Sequence, residues 1–147
     1  MIKKRILFVC KHNLFRSQVA ESLFNKLNKN KKYSADSAGI IKWDKKDLVG
    51  DNTYKIERKI STKIGIRLKK KSKGLNSSLL KNTNIVVIVA DDVPRAIFKK
   101  EKSFNGKIIV WKTRDVKSED KIKEKVALKS IKFIEKNIKH FIKTLKW

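Results

Sequence analysis

One cysteine, one arginine and one serine stand at a spacing that suits chemistry on an anion. Cys10, Arg16 and Ser17 form C-x5-R-S within the run Val9-Cys10-Lys11-His12-Asn13-Leu14-Phe15-Arg16-Ser17. A thiol held at a helix N-terminus, near a guanidinium and a hydroxyl, has its charged form stabilised and is expected as a thiolate at neutral pH. Arg16, six residues on, can reach back across the loop and grip two oxygens of a phosphoryl group by parallel hydrogen bonds, a geometry that lysine cannot reproduce. Attack of the thiolate on phosphorus would give a phosphocysteine, which water then hydrolyses. Cys10 is the chain's one cysteine, so it forms no intramolecular disulfide and no multi-cysteine metal site. His12 and His140 stand too far apart to look like a ligand pair, and neither a metal nor a cofactor is expected.

Such a loop needs a strand to deliver the thiol and a helix to receive the anion. Ile2–Val9 ends in the apolar run ILFV of a short buried strand. From Ser17 the pattern changes to a period of 3.6, with Val19, Ala20, Leu23, Phe24 and Leu27 on one helical face. Lys11–Arg16 is therefore a loop over a helix N-terminus, where free backbone N–H groups favour an anion. Further along, Tyr33–Ala38 reads as a strand ending at Gly39, Ile40–Asp51 as irregular, and Thr53–Ile64 as a helix with Ile56, Ile60 and Ile64 on its apolar face and Gly65 as its C-terminal cap. A short helix is expected near Asn76–Lys81. Ile85–Ala90 (IVVIVA) has the character of a strand buried on both faces in mid-sheet. Asp91 and Asp92 are expected to cap a helix around Val93–Lys100, with Pro94 in its first turn. Lys107–Trp111 is a fourth strand, and a long helix follows with Ile122, Val126, Ile131, Ile134, Ile138, Phe141 and Leu145 inward. The strict β-α alternation predicts one three-layer α/β domain spanning residues 1–147, a four-stranded parallel sheet flanked by helices. Ligands bind such sheets at the carboxyl ends of the strands, where Cys10 falls.

The 147 residues include 39 Lys and Arg against 14 Asp and Glu, a net charge of +25. That would ordinarily raise nucleic acid or an anionic membrane as partner. The bases are nearly all lysine and are spread along the whole chain, as a compositional bias produces, so a main role in nucleic-acid binding is not expected. No apolar run approaches the ~20 residues that cross a bilayer, and nothing after Met1–Val9 resembles a signal cleavage pattern. A cytoplasmic protein that draws anionic substrates is the expectation.

With these residues in view, the chain resembles the low-molecular-weight protein tyrosine phosphatases and the arsenate reductases that share their flavodoxin-like fold. The resemblance runs through V-C-K-H-N-L-F-R-S-Q-V-A-E, D-S-A-G-I at Asp36–Ile40, W-D-K-K-D-L-V-G from Trp43, I-G-I-R-L near Gly65, the buried strand before Asp91, and W-K-T-R-D at Trp111–Asp115. It implies that Asp115 is the general acid, protonating the leaving oxygen and then activating water; the alternative is a loop acid capping the last helix. It implies that Asn13 shapes the loop, that Ser17 bonds the thiolate, that the Lys11–Phe15 loop cradles phosphate, and that Trp43 walls an aromatic substrate or else plugs the core.

Where relatives usually carry Gly, a second Cys and Pro, this chain has His12, Phe15 and Val116. Gln18 in place of Pro is closer to the reductase branch, but the two further cysteines of that branch's usual route are absent. The function expected is hydrolysis of phosphomonoesters, protein phosphotyrosine among them, with inorganic phosphate, sulfate, vanadate or arsenate also fitting the loop. The competing readings are an oxyanion-binding module with little turnover and an arsenate reductase drawing electrons from an external thiol. If Asp115 is not the acid, Glu119 and Asp120 are the next carboxylates in the segment.

Overall fold

A computed structural model describes residues 3–41, 52–69, 71–102, 104–117 and 120–145. Four strands form the sheet: β1 (Lys4–Cys10), β2 (Tyr33–Gly39), β3 (Ile85–Val89) and β4 (Lys107–Trp111). Among the described residues five helices flank it: α1 (Arg16–Leu27), α2 (Asn52–Lys63), α3 (Ser77–Lys81), α4 (Ala96–Lys99) and α5 (Lys123–Thr144). The strand order is β2-β1-β3-β4 and every pairing is parallel, so the α/β architecture is the one expected. No helix among the described residues is long and apolar enough to cross a membrane.

Successive residues of a strand face opposite sides of the sheet, and each side of β1 and β3 has its own core. Ile6, Phe8, Val87 and Val89 meet α1 and α5, whereas Leu7, Val9, Val86 and Ile88 meet Leu80 of α3 and Phe98 of α4. Phe8, Phe24, Trp111 and Phe141 pack between sheet, α1 and α5 in tilted and edge-on pairs with ring centroids 5.9 to 6.1 Å apart. The chain leaves β1 for β2 on one side and returns to β3 on the other, so the crevice of this topology opens above the ends of β1 and β3. Cys10 is the last residue of β1, and Arg16 opens α1.

Several expectations are corrected. Asp91 and Asp92 cap no helix: α4 begins only at Ala96, its N-cap Arg95 makes no side-chain capping bond, and both acids turn to Arg16 instead. The buried stripe of α2 is Thr53, Glu57 and Ser61; Ile56 and Ile60 are half-buried and Ile64 is exposed. That helix lies against the site and α5, where polar side chains with partners are tolerated; Ser61 donates to the Glu57 carbonyl at 2.8 Å. Ile122 precedes α5 and is 61% exposed, because the helix starts one residue later. Gly65 does end α2 as expected. At φ +85° its N–H donates to the Thr62 carbonyl and Ile66 donates to Ser61, the paired bonds of a Schellman cap.

Candidate active site

Between β1 and α1 the backbone folds over the Cys10 sulfur. Asn13 is the hinge of this loop, with φ +55°, a left-handed conformation that asparagine tolerates better than most residues. Its N–H donates to Cys10 Sγ at 3.3 Å, and Ser17 Oγ lies 3.0 Å from the same sulfur. Because Asn13 Nδ2 donates to Ser17 Oγ at 2.7 Å, the serine's own proton is free to point at the sulfur. Both contacts suit a sulfur that carries negative charge.

Arg16 is 3% exposed and ringed by acceptors. It donates to the Thr113 carbonyl at 3.0 Å, lies 3.1 Å from Asp92, and stands 3.7 Å from both Asp91 and Asp115. Burial works against its charge, but Cys10, Asp115 and Asp92 outweigh that and hold its pKa above the ordinary value. A buried guanidinium anchored on one edge keeps its remaining donors for an incoming oxyanion. His12 stands beside this cluster. Burial, then the charge of Lys11, push its pKa down and so favour the neutral imidazole, although Asp115 pulls the other way.

A second tier fixes the loop from behind. Residues 66–69 and 71–75 pass beneath it: Lys69 N–H donates to Gln18 Oε1 at 2.6 Å, Gln18 Nε2 donates to the Asn13 carbonyl at 2.7 Å, and Ser72 Oγ donates to the His12 carbonyl at 2.6 Å. Lys73 N–H donates to Asn13 Oδ1 at 2.8 Å. Asn13 Nδ2 also reaches Ser37 Oγ at 3.0 Å, and Ser37 donates on to buried Glu21, whose other oxygen takes Lys69 Nζ at 2.6 Å. Lys73 Nζ pairs with Asp36; burial would raise that carboxyl, but the Lys73 and Ser37 hydrogen bonds with the lysine charges hold it below its usual range. Among the described residues no buried side-chain polar atom lacks a partner. Gly39 closes the arrangement, since a Cβ there would lie 2.6 Å from the His12 carbonyl carbon and 2.7 Å from the Asn13 nitrogen.

A cleft of about 200 Å3 opens over the sulfur. Cys10 and Arg16 form its floor, His12 and Asp115 its polar rim, and Leu14, Phe15 and Val116 its apolar walls. The expected residues Cys10, His12, Leu14, Phe15, Arg16 and Asp115 thus come together. Ser17 and Asn13 lie behind the sulfur, and Lys11 offers its carbonyl to Ile41 N–H at 2.9 Å without lining the cleft. Trp43 and Glu119 lie outside the described residues. Asp120 is taken up by Arg114 at 2.6 and 3.2 Å and by Lys117 N–H, bonds that hold its pKa below the usual carboxylate range. Sequence reasoning missed the α2 wall, made by Thr53, Tyr54 and Glu57. Its polar i, i+4 pair of Thr53 and Glu57 was the available signal, masked by the neighbouring isoleucines.

The family described as low molecular weight phosphotyrosine protein phosphatase matches residues 5–146. Among solved structures the chain is similar to Wzb of Vibrio vulnificus in complex with benzylphosphonate, with TM-score 0.74, 20% identity, and 97% of this chain and 99% of that one covered. It is also similar to a product-state mimic of a protein tyrosine phosphatase from Entamoeba histolytica, at TM-score 0.70, 23% identity and 99% coverage of both chains. An arsenate reductase from Archaeoglobus fulgidus follows, at TM-score 0.67, 23% identity and coverage of 94% and 98%. At these identities the likeness is one of fold. Comparison with curated protein sequences gives no significant match.

Proposed function

Because the chain belongs to the low molecular weight phosphotyrosine protein phosphatase family, we propose that it hydrolyses phosphomonoesters, protein phosphotyrosine among them, through a phosphocysteine on Cys10. The observation that carries this reading is the Cys10 sulfur on the cleft floor, with Asn13 N–H and Ser17 Oγ at 3.3 and 3.0 Å beneath it and the Arg16 fork alongside.

The thiolate attacks phosphorus in line, the S–P bond forming as the bond to the ester oxygen breaks. Arg16 and the loop N–H groups meet the charge that spreads over the equatorial oxygens. Asp115, 3.7 Å from Arg16 and on the cleft rim, gives its proton to the departing oxygen. As a carboxylate it then takes a proton from water, whose oxygen attacks phosphorus and releases phosphate and the thiolate. Leu14, Phe15, Tyr54 and Val116 offer an aromatic leaving group an apolar slot. The Vibrio vulnificus relative's structure holds benzylphosphonate, a ligand of the same aromatic kind. The test is hydrolysis of p-nitrophenyl phosphate, inhibited by vanadate and absent in Cys10→Ser; turnover that survives that substitution would falsify the reading.

A second reading has one residue in its favour. Gln18, where phosphatase relatives usually carry Pro, bonds the loop at the Asn13 carbonyl. In it, Cys10 displaces water from arsenate to give a thioester of arsenic. One external thiol then attacks the Cys10 sulfur and releases arsenite, and a second thiol frees Cys10 and leaves as the external disulfide. Arsenite formation that depends on glutathione, in a protein inactive on aryl phosphate, would favour this route.

A further inference from the structure

Beside the cleft a groove runs between α1, α2 and residues 66–69. A hollow of about 620 Å3 and a smaller one of about 320 Å3 share Arg58, Arg67 and Leu68. Buried Leu68 supplies apolar floor, and Lys69 lines the larger hollow. Glu21 is the acid among the lining residues, and Lys69 Nζ and Ser37 already occupy its two oxygens. Arg58 donates to the neutral Tyr54 hydroxyl at 2.9 Å. Among the described residues, no carboxylate pairs with Arg58 or Arg67, although Arg16 and Arg114 both have acid partners. A lysine-rich composition does not account for this pair. The chain has six arginines, and two of them share one groove.

We propose that this groove binds the acidic flank of the phosphorylated protein segment whose phosphate enters the cleft, a specificity that rests on the phosphoprotein reading above. The Arg58–Tyr54 hydrogen bond links a residue of the groove to a residue of the cleft. Tyr54 lines the cleft, and Arg58 stands one turn further along α2, about 6 Å away at 1.5 Å per residue. An extended peptide advances about 3.3 Å per residue, so carboxylates a few residues from the phosphorylated one reach Arg58 and then Arg67. A guanidinium takes a carboxylate by two parallel bonds, which a half-exposed groove rewards more than a flat surface does.

The test uses the Cys10→Ser protein, which binds without turnover, and labelled phosphotyrosine peptides. One carries glutamates before the phosphorylated residue, one carries them after it, and one has glutamine throughout. One acidic peptide is expected to bind about tenfold or more tightly than the glutamine peptide. Adding Arg67→Glu should bring that ratio to about one, and Lys81→Glu on α3, across the sheet, should leave it in place. Equal binding of all three peptides, or an equal loss of preference in Lys81→Glu, overturns the groove while leaving the phosphoprotein reading intact. If the Cys10→Ser protein binds no phosphopeptide although the unsubstituted protein binds vanadate, the phosphoprotein reading fails and the groove with it.

Discussion

A lysine at position 16 would keep the charge and lose the fork. Arg16→Lys is therefore expected to lower turnover of p-nitrophenyl phosphate by about a hundredfold or more, the scale of losing a preorganised donor to transition-state charge; near-normal turnover would leave Arg16 a structural role. Asp115→Asn should separate substrates by leaving group. A nitrophenolate departs with little need of a proton, whereas a tyrosinate must be protonated as its bond to phosphorus breaks, so phosphotyrosine should suffer far more. Equal losses on both would argue against Asp115 as the acid, and with Asp120 held by Arg114 the non-catalytic reading would then gain. His12 gives a pH signature. Its folded pKa lies below the unfolded value of about 6.5, so the unfolded chain binds that proton first and stability falls on acidification through the window. His12→Asn should flatten the fall seen in thermal melts as the pH drops through about 6.5. At this scale Cys10, Arg16 and Ser17 were legible because eight consecutive positions hold the whole constellation. Asp92 and Thr113 were not, lying 76 and 97 positions from the Arg16 they orient.

The elements were legible where a single period dominates. Strands β1 and β3 are apolar on both faces and α5 repeats its apolar face for 22 residues, so their types and buried sides follow from pattern. Helix α2 misleads because its burial is set by the site and α5, not by hydropathy, and α4 misleads because Asp91 and Asp92 have a stronger partner in Arg16 than in any helix end. The segment that locks the loop, through Lys69, Ser72 and Lys73, reads in sequence as a basic link and nothing more. Its geometry makes Gly39 critical: Gly39→Ala would drive a methyl group into the His12 and Asn13 backbone. Far-ultraviolet circular dichroism should stay native while kcat/KM for p-nitrophenyl phosphate drops at least about tenfold, since a misplaced loop loses orientation before the sheet is lost. Unchanged kcat/KM would mean that the loop can shift without cost.

For the molecule as a whole, the net charge of +25 means self-repulsion that an anion bound in the loop partly relieves. Vanadate at about a hundred times its dissociation constant should stabilise the fold by about 2.7 kcal/mol, read as a rise in melting temperature beyond that in chloride of equal ionic strength. Cys10→Ser and Arg16→Lys should lose most of that difference, whereas a generic charge effect would persist in both. The aromatic cluster sets the reserve against which such gains are measured: Phe8→Ala, at a fully buried position in contact with Phe24 and Trp111, is expected to cost about 3–5 kcal/mol in urea unfolding.

The proposed reaction turns on its covalent intermediate. Protein mixed with p-nitrophenyl phosphate, quenched in acid within milliseconds and weighed intact, should carry the mass of one phosphoryl group, mapped by digestion to Cys10 and missing from Cys10→Ser. Active turnover with unmodified Cys10 at every time point, or with the label on another residue, would contradict it.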